Sequence, residues 1–452
     1  SRLGTISLDL PVLIFCISIS VITGIAFGLL PAWILSGTDL QSSLREGGFR
    51  TSESRRRRWM RESLVVTETA LCLVLLIGAA LMVQSLARLR AVDPGLDPSG
   101  VAVARVNVPE SRYPENEQIA RFFKDVIDRV SVLPGVESAG AVMALPLSGS
   151  AATLTFLIEG VPQPEPGTEP VTEYQVVSSG YFTTMRIPLL AGRFFTELDD
   201  ADEDSPGVAI VSETMARRFF PEEDPVGKRI NFGDYDNESS WVTIVGVVGS
   251  IRHFNLDETP EPEVYLHFPQ DPWVYMSVVA RTAGDPAALL PSMRQAVLDV
   301  DPDQPVYALT TMEEVLADNV ADSRFLSLLL EIFALTAAIL AAVGIYSVIS
   351  YTVSQRYREL GIRIALGAGR TNILQLVLKQ GLTPVLYGIG IGMAGAIVTT
   401  RFLESQLYEV SAVDPLSFIV IPLFVIVTAI ISVSLPARRA VTIPPVEALN
   451  NE

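Results

Sequence analysis

The stretch TALCLVLLIGAALMVQSLA, Thr69–Ala87, runs without a single charge, and the turn-rich VDPGLDP (Val92–Pro98) and the strand-like VAVARVNV (Val101–Val108) follow it. The length of the first run decides the class of fold. A helix needs about 20 apolar residues to cross the hydrocarbon core of a bilayer, whereas a buried helix of a soluble protein manages with about 10–14. Outward from this stretch, four more uncharged runs are long enough: Leu10–Thr38, Ile332–Gln355, Gln380–Thr400 and Pro415–Ala437. Of 452 residues, 49% are hydrophobic, and the mean hydropathy is +0.37, above what a soluble chain of this length carries. The sequence therefore predicts a membrane protein with five spans. The first run lacks a basic leader and is too long for a signal peptide, so it reads as a retained span in a chain that continues before Ser1.

Charge orients the spans. Between Ala91 and Ser323 stand 38 acids and 14 bases, a balance of −24, so with a total of −18 the remainder carries +6. The bases gather in short segments: Arg45, Arg50, Arg55, Arg56, Arg57, Arg58 and Arg61, then Arg356, Arg358, Arg363 and Arg370, then Arg438 and Arg439. Short basic loops stay in the cytoplasm, while long domains are exported largely regardless of charge. One topology satisfies every loop, with the first span entering, the second leading out to the acidic segment, and three more ending in a cytoplasmic tail. The arginine cluster precedes a span by a few residues, which marks an orientation signal on anionic lipid rather than a nucleic-acid patch. Glu68 and Glu331 interrupt apolar edges about two turns from Arg61 and Arg324, and are expected to face the helix bundle at interface depth.

The exported segment alternates strand and helix signals. After VAVARVNV, the apolar residues Ile119, Phe122, Phe123, Val126, Ile127 and Val130 fall at helical spacing, Pro134-Gly135 stops that helix, and VESAGAVMAL resumes as a strand. The pattern returns as VYMSVVAR, a helix over Asp285–Val300, PVYALT, and a helix from Met312. Two split βαβ units flank an insertion at about Leu157–Phe268, which holds the strands GVAIVS and WVTIVGVVG with a short helix, Glu213–Phe219, between them. The acidic loop ELDDADED (Glu197–Asp204) lacks the glycine and closing glutamate of a calcium loop. His253 and His267 are the two histidines, and with no cysteine or close histidine partner they make no metal site by spacing. A Ser250–His253–Asp257 triad rests on spacing alone and is set aside. The chain holds no GxxxxGK[ST] and no GxGxxG after a strand, so no phosphate cradle for ATP, no catalytic residue and no cofactor are assigned.

The first and last runs repeat one another. Asp9–Leu44 aligns without a gap on Asp414–Leu449, with Asp9, Ile14, Thr23, Ile25, Leu30, Pro31, Ala32 and Leu44 identical to their counterparts. The first span thus reads as the last helix of a preceding repeat unit. With VDPGLDP, RELGIRIALGAGRTNILQLVL (Arg358–Leu378) and the closing LPARRAVTIPPVEAL, this layout resembles the MacB- and FtsX-like permeases of ABC transporters, particularly those with two fused units. The expected fold is an α-helical membrane protein with five transmembrane helices, one plus four, and a large extracytoplasmic α/β domain carrying an inserted subdomain. The expected boundaries are a helix at 9–36, a basic cytoplasmic linker at 37–63, a helix at 64–89 and the exported domain at 91–323. Helices at 325–355, 380–400 and 414–437 follow, with a coupling segment at 356–378 and a tail at 438–452.

The resemblance implies a permease of the bacterial inner membrane whose ATPase sits on a partner chain and drives the exported domain to export periplasmic substrate. The alternative is a mechanotransmitting scaffold or sensor that regulates a periplasmic protein without transport. The implied ATPase-binding residues are Arg358, Glu359, Leu360, Gly361, Ile362, Arg363, Ala365, Leu366, Gly367 and Ala368. Further partners are membrane lipid, a periplasmic adaptor or outer-membrane factor, and a second copy or the missing repeat half, but no nucleic acid.

Overall fold

A computed structural model describes residues 55–355 apart from 150, 166, 200–206 and 233–240, then 363 and 369–441, together with Pro11, Leu13, Ile14, Ile17, Ser18 and Val21. These last six are helical and are all that is described of the first expected span. From Arg55 onward the chain forms α1 (Arg55–Arg90), β1 (Val101–Asn107), α2 (Asn116–Ser131), β2 (Val136–Val142), β3 (Ala152–Thr155), β4 (Leu157–Ile158) and β5 (Val171–Val177). Next come α3 (Tyr181–Met185), β6 (Leu189–Gly192), β7 (Gly207–Ser212), α4 (Glu213–Phe219), β8 (Arg229–Asn231), β9 (Trp241–Val248) and β10 (Glu263–His267). The exported segment closes with β11 (Tyr275–Thr282), α5 (Pro286–Val300), β12 (Val306–Thr311) and α6 (Met312–Asn319). Three long helices follow, α7 (Ala321–Gln355), α8 (Arg370–Leu403) and α9 (Pro415–Val441).

The outer strands pair in the order β12-β1-β11-β2, all antiparallel, with α2 joining β1 to β2 and α5 joining β11 to β12. This is the split βαβ arrangement read from the sequence. Local chemistry sets the helix ends. Asp285 accepts from the Ala287 amide at 2.9 Å behind Pro286, and Thr311 with Glu314 forms a capping box at the start of α6. The insertion extends the same sheet through β5, β10, β7, β9, β8 and β4. It begins at β3, five residues before the expected Leu157, because β3 folds back on β5 from Ala152↔Tyr174 to Thr155↔Val171. Porter half and insertion share one strand bridge, Val142↔Val177 between β2 and β5.

The sheet is buried on both faces, and its strands show it. On β1, Ala102, Ala104 and Val106 enter one core with α2 and α5, while Val101 and Val103 enter a second core with Tyr181, Phe182 and Met185 of α3. Leu89 at the end of α1 and Val320 before α7 belong to this second core. The exported domain is therefore seated on its helices by the face opposite α2 and α5.

Among the described residues, four helices are long and apolar enough to cross a membrane: Arg61–Arg90, Ala321–Ser354, Thr371–Gln406 and Pro415–Arg438. Helix α8 starts at Arg370, ten residues before the expected 380, so the end of the expected coupling segment is helical. A core of Leu73, Ile77, Leu81, Ile345, Ile349, Val385, Val425 and Val433 joins the four. Helices α1 and α8 approach backbone to backbone. A Cβ on Gly388 would stand 2.8 Å from the Val66 carbonyl oxygen, and one on Gly392 would stand 2.9 Å from that of Ala70. Glu68 faces the bundle, its carboxylate laid against Gly344 of α7, as expected. Glu331 is exposed instead, because α7 leaves most of its surface uncovered.

Candidate functional site

The joint between membrane and exported domain is built on VDPGLDP. Helix α1 ends at Arg90, Pro94 disfavours helical backbone at Asp93, and two Asx turns form there, with Asp93 Oδ1 accepting from the Gly95 amide at 2.8 Å and Asp97 Oδ1 from the Ser99 amide at 3.0 Å. Gly95 has φ +84°, and a Cβ there would run into the Ser250 carbonyl, so the position demands glycine. The strap is stitched to the insertion: the Arg252 amide donates to the Pro94 carbonyl at 3.1 Å and the Asp97 amide to that of Met185 at 3.0 Å.

Asp97 is the hub. Its Oδ2 accepts from Arg186, at the end of α3, at 2.8 Å and from Arg281, on β11, at 3.3 Å. Arg281 is buried and spends its remaining donors on the carbonyls of Ser99 (2.5 Å), Asp97 (2.7 Å) and Thr184 (2.7 Å). Burial raises the Asp97 carboxyl, but the bonds from Ser99 and the arginines outweigh that and hold it below its ordinary range. One carboxylate at the exit of α1 thus grips the porter sheet and the insertion together.

Two further contacts complete the joint. Asn319, just before α7, donates to the Phe254 carbonyl at 2.8 Å and accepts from the Leu256 amide at 3.3 Å. The loop between α8 and α9 returns to α1, where the Tyr408 amide donates to Ser85 Oγ at 2.9 Å and Arg88 donates to the Glu409 carbonyl, and Gln84 of α1 donates to Ser417 Oγ of α9 at 2.8 Å. Asp414, the acid of the repeat, caps α9 by accepting from the Ser417 amide at 2.9 Å. Its counterpart Asp9 lies outside the described residues.

Among the expected ATPase-binding residues, Arg363 is described, helical and exposed. Arg358, Glu359, Leu360, Gly361, Ile362, Ala365, Leu366, Gly367 and Ala368 lie outside the described residues. The Ser250–His253–Asp257 spacing brings nothing together. Ser250 Oγ bonds Thr214, Asp257 is exposed, and His253 is buried elsewhere.

His253 instead meets a pair of acids. Glu173 and Glu263 are register partners on the parallel strands β5 and β10, 7% and 1% exposed, and His253, from the loop after β9, is 4% exposed. Its Nε2 lies 2.5 Å from Glu263 Oε1, and neither atom has a further partner. Tyr265 donates to the other oxygen, Oε2, at 2.5 Å, and Gln175 Nε2 stands 3.5 Å from His253 Nδ1. Burial, and then the Glu263 charge, push the Glu173 carboxyl up to about 7. Burial lowers the His253 imidazole, but the Glu263 carboxylate beside it prevails and raises it. Glu173, His253 and Glu263 are a set that can hold a metal ion. Sequence spacing misses the set because strand pairing assembles it. The available signal was polar residues at period two, Glu173 and Gln175 on β5 and Glu263, Tyr265 and His267 on β10, within otherwise apolar strands.

Comparison with known proteins bears on both regions. Residues 69–301 match the family model of the MacB-like periplasmic core domain, and residues 331–445 that of the FtsX-like permease C-terminal region. The chain is 26% identical over 277 residues to the pyoverdine export ATP-binding/permease protein PvdT of Pseudomonas syringae, covering 59% of this chain and 40% of that one. It is 26% identical over 288 residues to the ABC transporter permease YknZ of Bacillus subtilis, 61% of this chain and 69% of that one. It is 26% identical over 286 residues to the macrolide export ATP-binding/permease protein MacB of Marinobacter nauticus, 59% of this chain and 41% of that one. The chain thus spans about two fifths of the length of the ATP-binding/permease relatives it matches.

Proposed function

The chain belongs to the family of ABC-transporter permeases that combine a MacB-like periplasmic core with an FtsX-like C-terminal region, and on that premise we propose that it relays ATP-driven helix motion to its exported domain for export of an extracytoplasmic substrate. The ATPase is supplied by a partner that docks on the segment from Arg358 to Ala368, at the cytoplasmic face of a bacterial inner membrane. A periplasmic adaptor or outer-membrane factor, and a second copy of the chain, complete the assembly. The export direction follows the relatives named as exporters.

The observation that carries the reading is the joint at Asp97. The candidate span of α1, Arg61–Arg90 with charges near both ends, runs 30 residues, about 45 Å at 1.5 Å per residue, against about 30 Å of hydrocarbon. Unbroken helix therefore persists beyond the core and delivers its displacement to Asp97, Arg281 and Arg186. Helix α7 enters the same core face at Val320. Tilt of either helix moves both halves of the domain.

The test is hydrogen exchange on the chain purified with its ATPase, with and without a trapped nucleotide. In the wild type, exchange changes in the helices and in β11 and α3, and in Asp97→Ala it changes in the helices alone. Equal spread in both would overturn the relay. Docking is tested separately by co-purification. A central anchor is worth about 2 kcal/mol or more, roughly thirtyfold in affinity, so Leu366→Glu should lose the ATPase, and Arg363→Glu should weaken it more than Arg363→Lys. Full recovery with both glutamate variants sinks the docking assignment.

A further inference from the structure

The joint makes no use of the buried set on β5 and β10. We propose that Glu173, His253 and Glu263 bind one divalent first-row metal ion, with zinc as the fitting probe, through Nε2 of the imidazole and one oxygen of each carboxylate, and that the ion ties β5, β10 and the loop after β9 together within the insertion.

Three observations converge. The three candidate donor atoms lie within 4.8 Å of one another. A tetrahedral metal at about 2.0–2.2 Å from each nitrogen and oxygen sets donors about 3.4 Å apart, inside that limit, so the 2.5 Å approach of Nε2 to Oε1 opens by about one ångström. Next, buried polar atoms in folded proteins nearly always have partners. Here His253 Nε2 and Glu263 Oε1 have no partner but each other, and Tyr181 Oη, fully buried in the same core as Tyr265, makes no hydrogen bond. Finally, among the described residues no lysine or arginine pairs with either glutamate. Among the same residues His253 is the one cationic group that can face Glu263, and Glu173 has no cationic partner, so a divalent cation would neutralise both carboxylates with the ring neutral.

The surroundings suit the role. Tyr265 occupies Oε2 of Glu263 and leaves Oε1 to face His253, the kind of outer contact that aims a ligand. Donors come from β5, β10 and the loop after β9, three separate segments of the insertion. The rival occupant is a proton shared by Nε2 and Oε1. The approach of Gln175 Nε2 to Nδ1 at 3.5 Å would favour that state, and a metal-bound ring requires Gln175 to turn and release the Ala144 amide.

The experiment uses the full chain in detergent, purified without a polyhistidine tag, stripped with chelator and titrated with zinc sulfate. Elemental analysis should find about one zinc per chain, X-ray absorption should show a single imidazole nitrogen among oxygen ligands, and zinc should raise the unfolding temperature. The amides Glu173→Gln and Glu263→Gln, and His253→Gln, should each weaken zinc retention by at least tenfold, comparable to losses at known metal shells. Where a variant fails to fold, the wild-type spectrum decides. Negligible zinc on the wild type, a shell without imidazole, or retention unchanged in folded variants overturns the proposal and leaves the shared proton.

Discussion

The exported domain and the membrane bundle solve the same packing problem with opposite means. The domain buries charge at its critical places: Arg281 under Asp97, and His253 between Glu173 and Glu263. The bundle removes side chains at its critical places, so that α8 reaches α1 at Gly388 and Gly392. Water explains the difference. A domain bathed in solvent can place polar groups at joints and satisfy them by short, directed bonds. Helices in lipid already satisfy their backbones, and apolar burial gives them little reason to associate, so close packing through small residues holds them together.

The comparison breaks outright if the two regions are not on the sides assigned. In a Cys16→Ala, Cys72→Ala background, Val132→Cys on the exposed domain surface should react with an impermeant thiol reagent in intact cells, and Ser54→Cys should not. Labelling of Ser54→Cys from outside would reverse the topology. A smaller but still large effect is expected within the domain. Arg281→Met leaves Asp97 and three carbonyls without their buried donor, which should cost about 3–5 kcal/mol. Denaturant unfolding followed by tryptophan fluorescence checks it, and an unchanged midpoint would show that the joint is not held by charge.

The bundle should respond to volume instead. Gly392→Leu forces a side chain against Ala70 and Leu73 of α1, an overpacking of about 1–3 kcal/mol. Gly390→Leu, where a Cβ meets nothing within 4 Å, is the control and should leave the melting temperature of the detergent-solubilised chain in place. Equal losses from both would remove the special role of the α1–α8 approach.

The smallest effect is a surface ion pair of the insertion. Arg193 and then the Thr196 bonds hold Asp199 at about 2, although partial burial opposes them. The folded value lies below the ordinary one of about 3.9, so the stabilisation is present above about pH 4 and disappears as pH falls toward 2. The stability gap between wild type and Asp199→Asn should therefore be open at pH 5 and closed near pH 2. A gap that widens on acidification would contradict the sign.

Much of this molecule could be read before its structure. The helix Glu213–Phe219 and the strands GVAIVS and WVTIVGVV were legible because period and flanking turn residues act within a few positions. The four spans from Arg61 onward were legible because bilayer thickness sets one length. Helix starts were less so: α8 begins at Arg370, since Arg370–Lys379 continue the helix although they carry charge. Of the expected ATPase-binding segment, only Arg363 falls within the described residues, so that expectation stands as a proposal.

Composition and order alone determined the membrane class, the orientation implied by arginine and acid, and the split α/β plan. All of these depend on neighbours in sequence or on sums over segments. Tertiary structure decided what Asp97 holds and that a histidine read as isolated stands beside two glutamates. Arg281 is 184 residues from Asp97 along the chain, yet its guanidinium reaches it. Glu173 and Glu263 become neighbours through parallel pairing whose register no local pattern encodes. Contacts of that kind are settled only when the whole sheet forms, because the closure of long loops and the burial of both faces choose the pairing together.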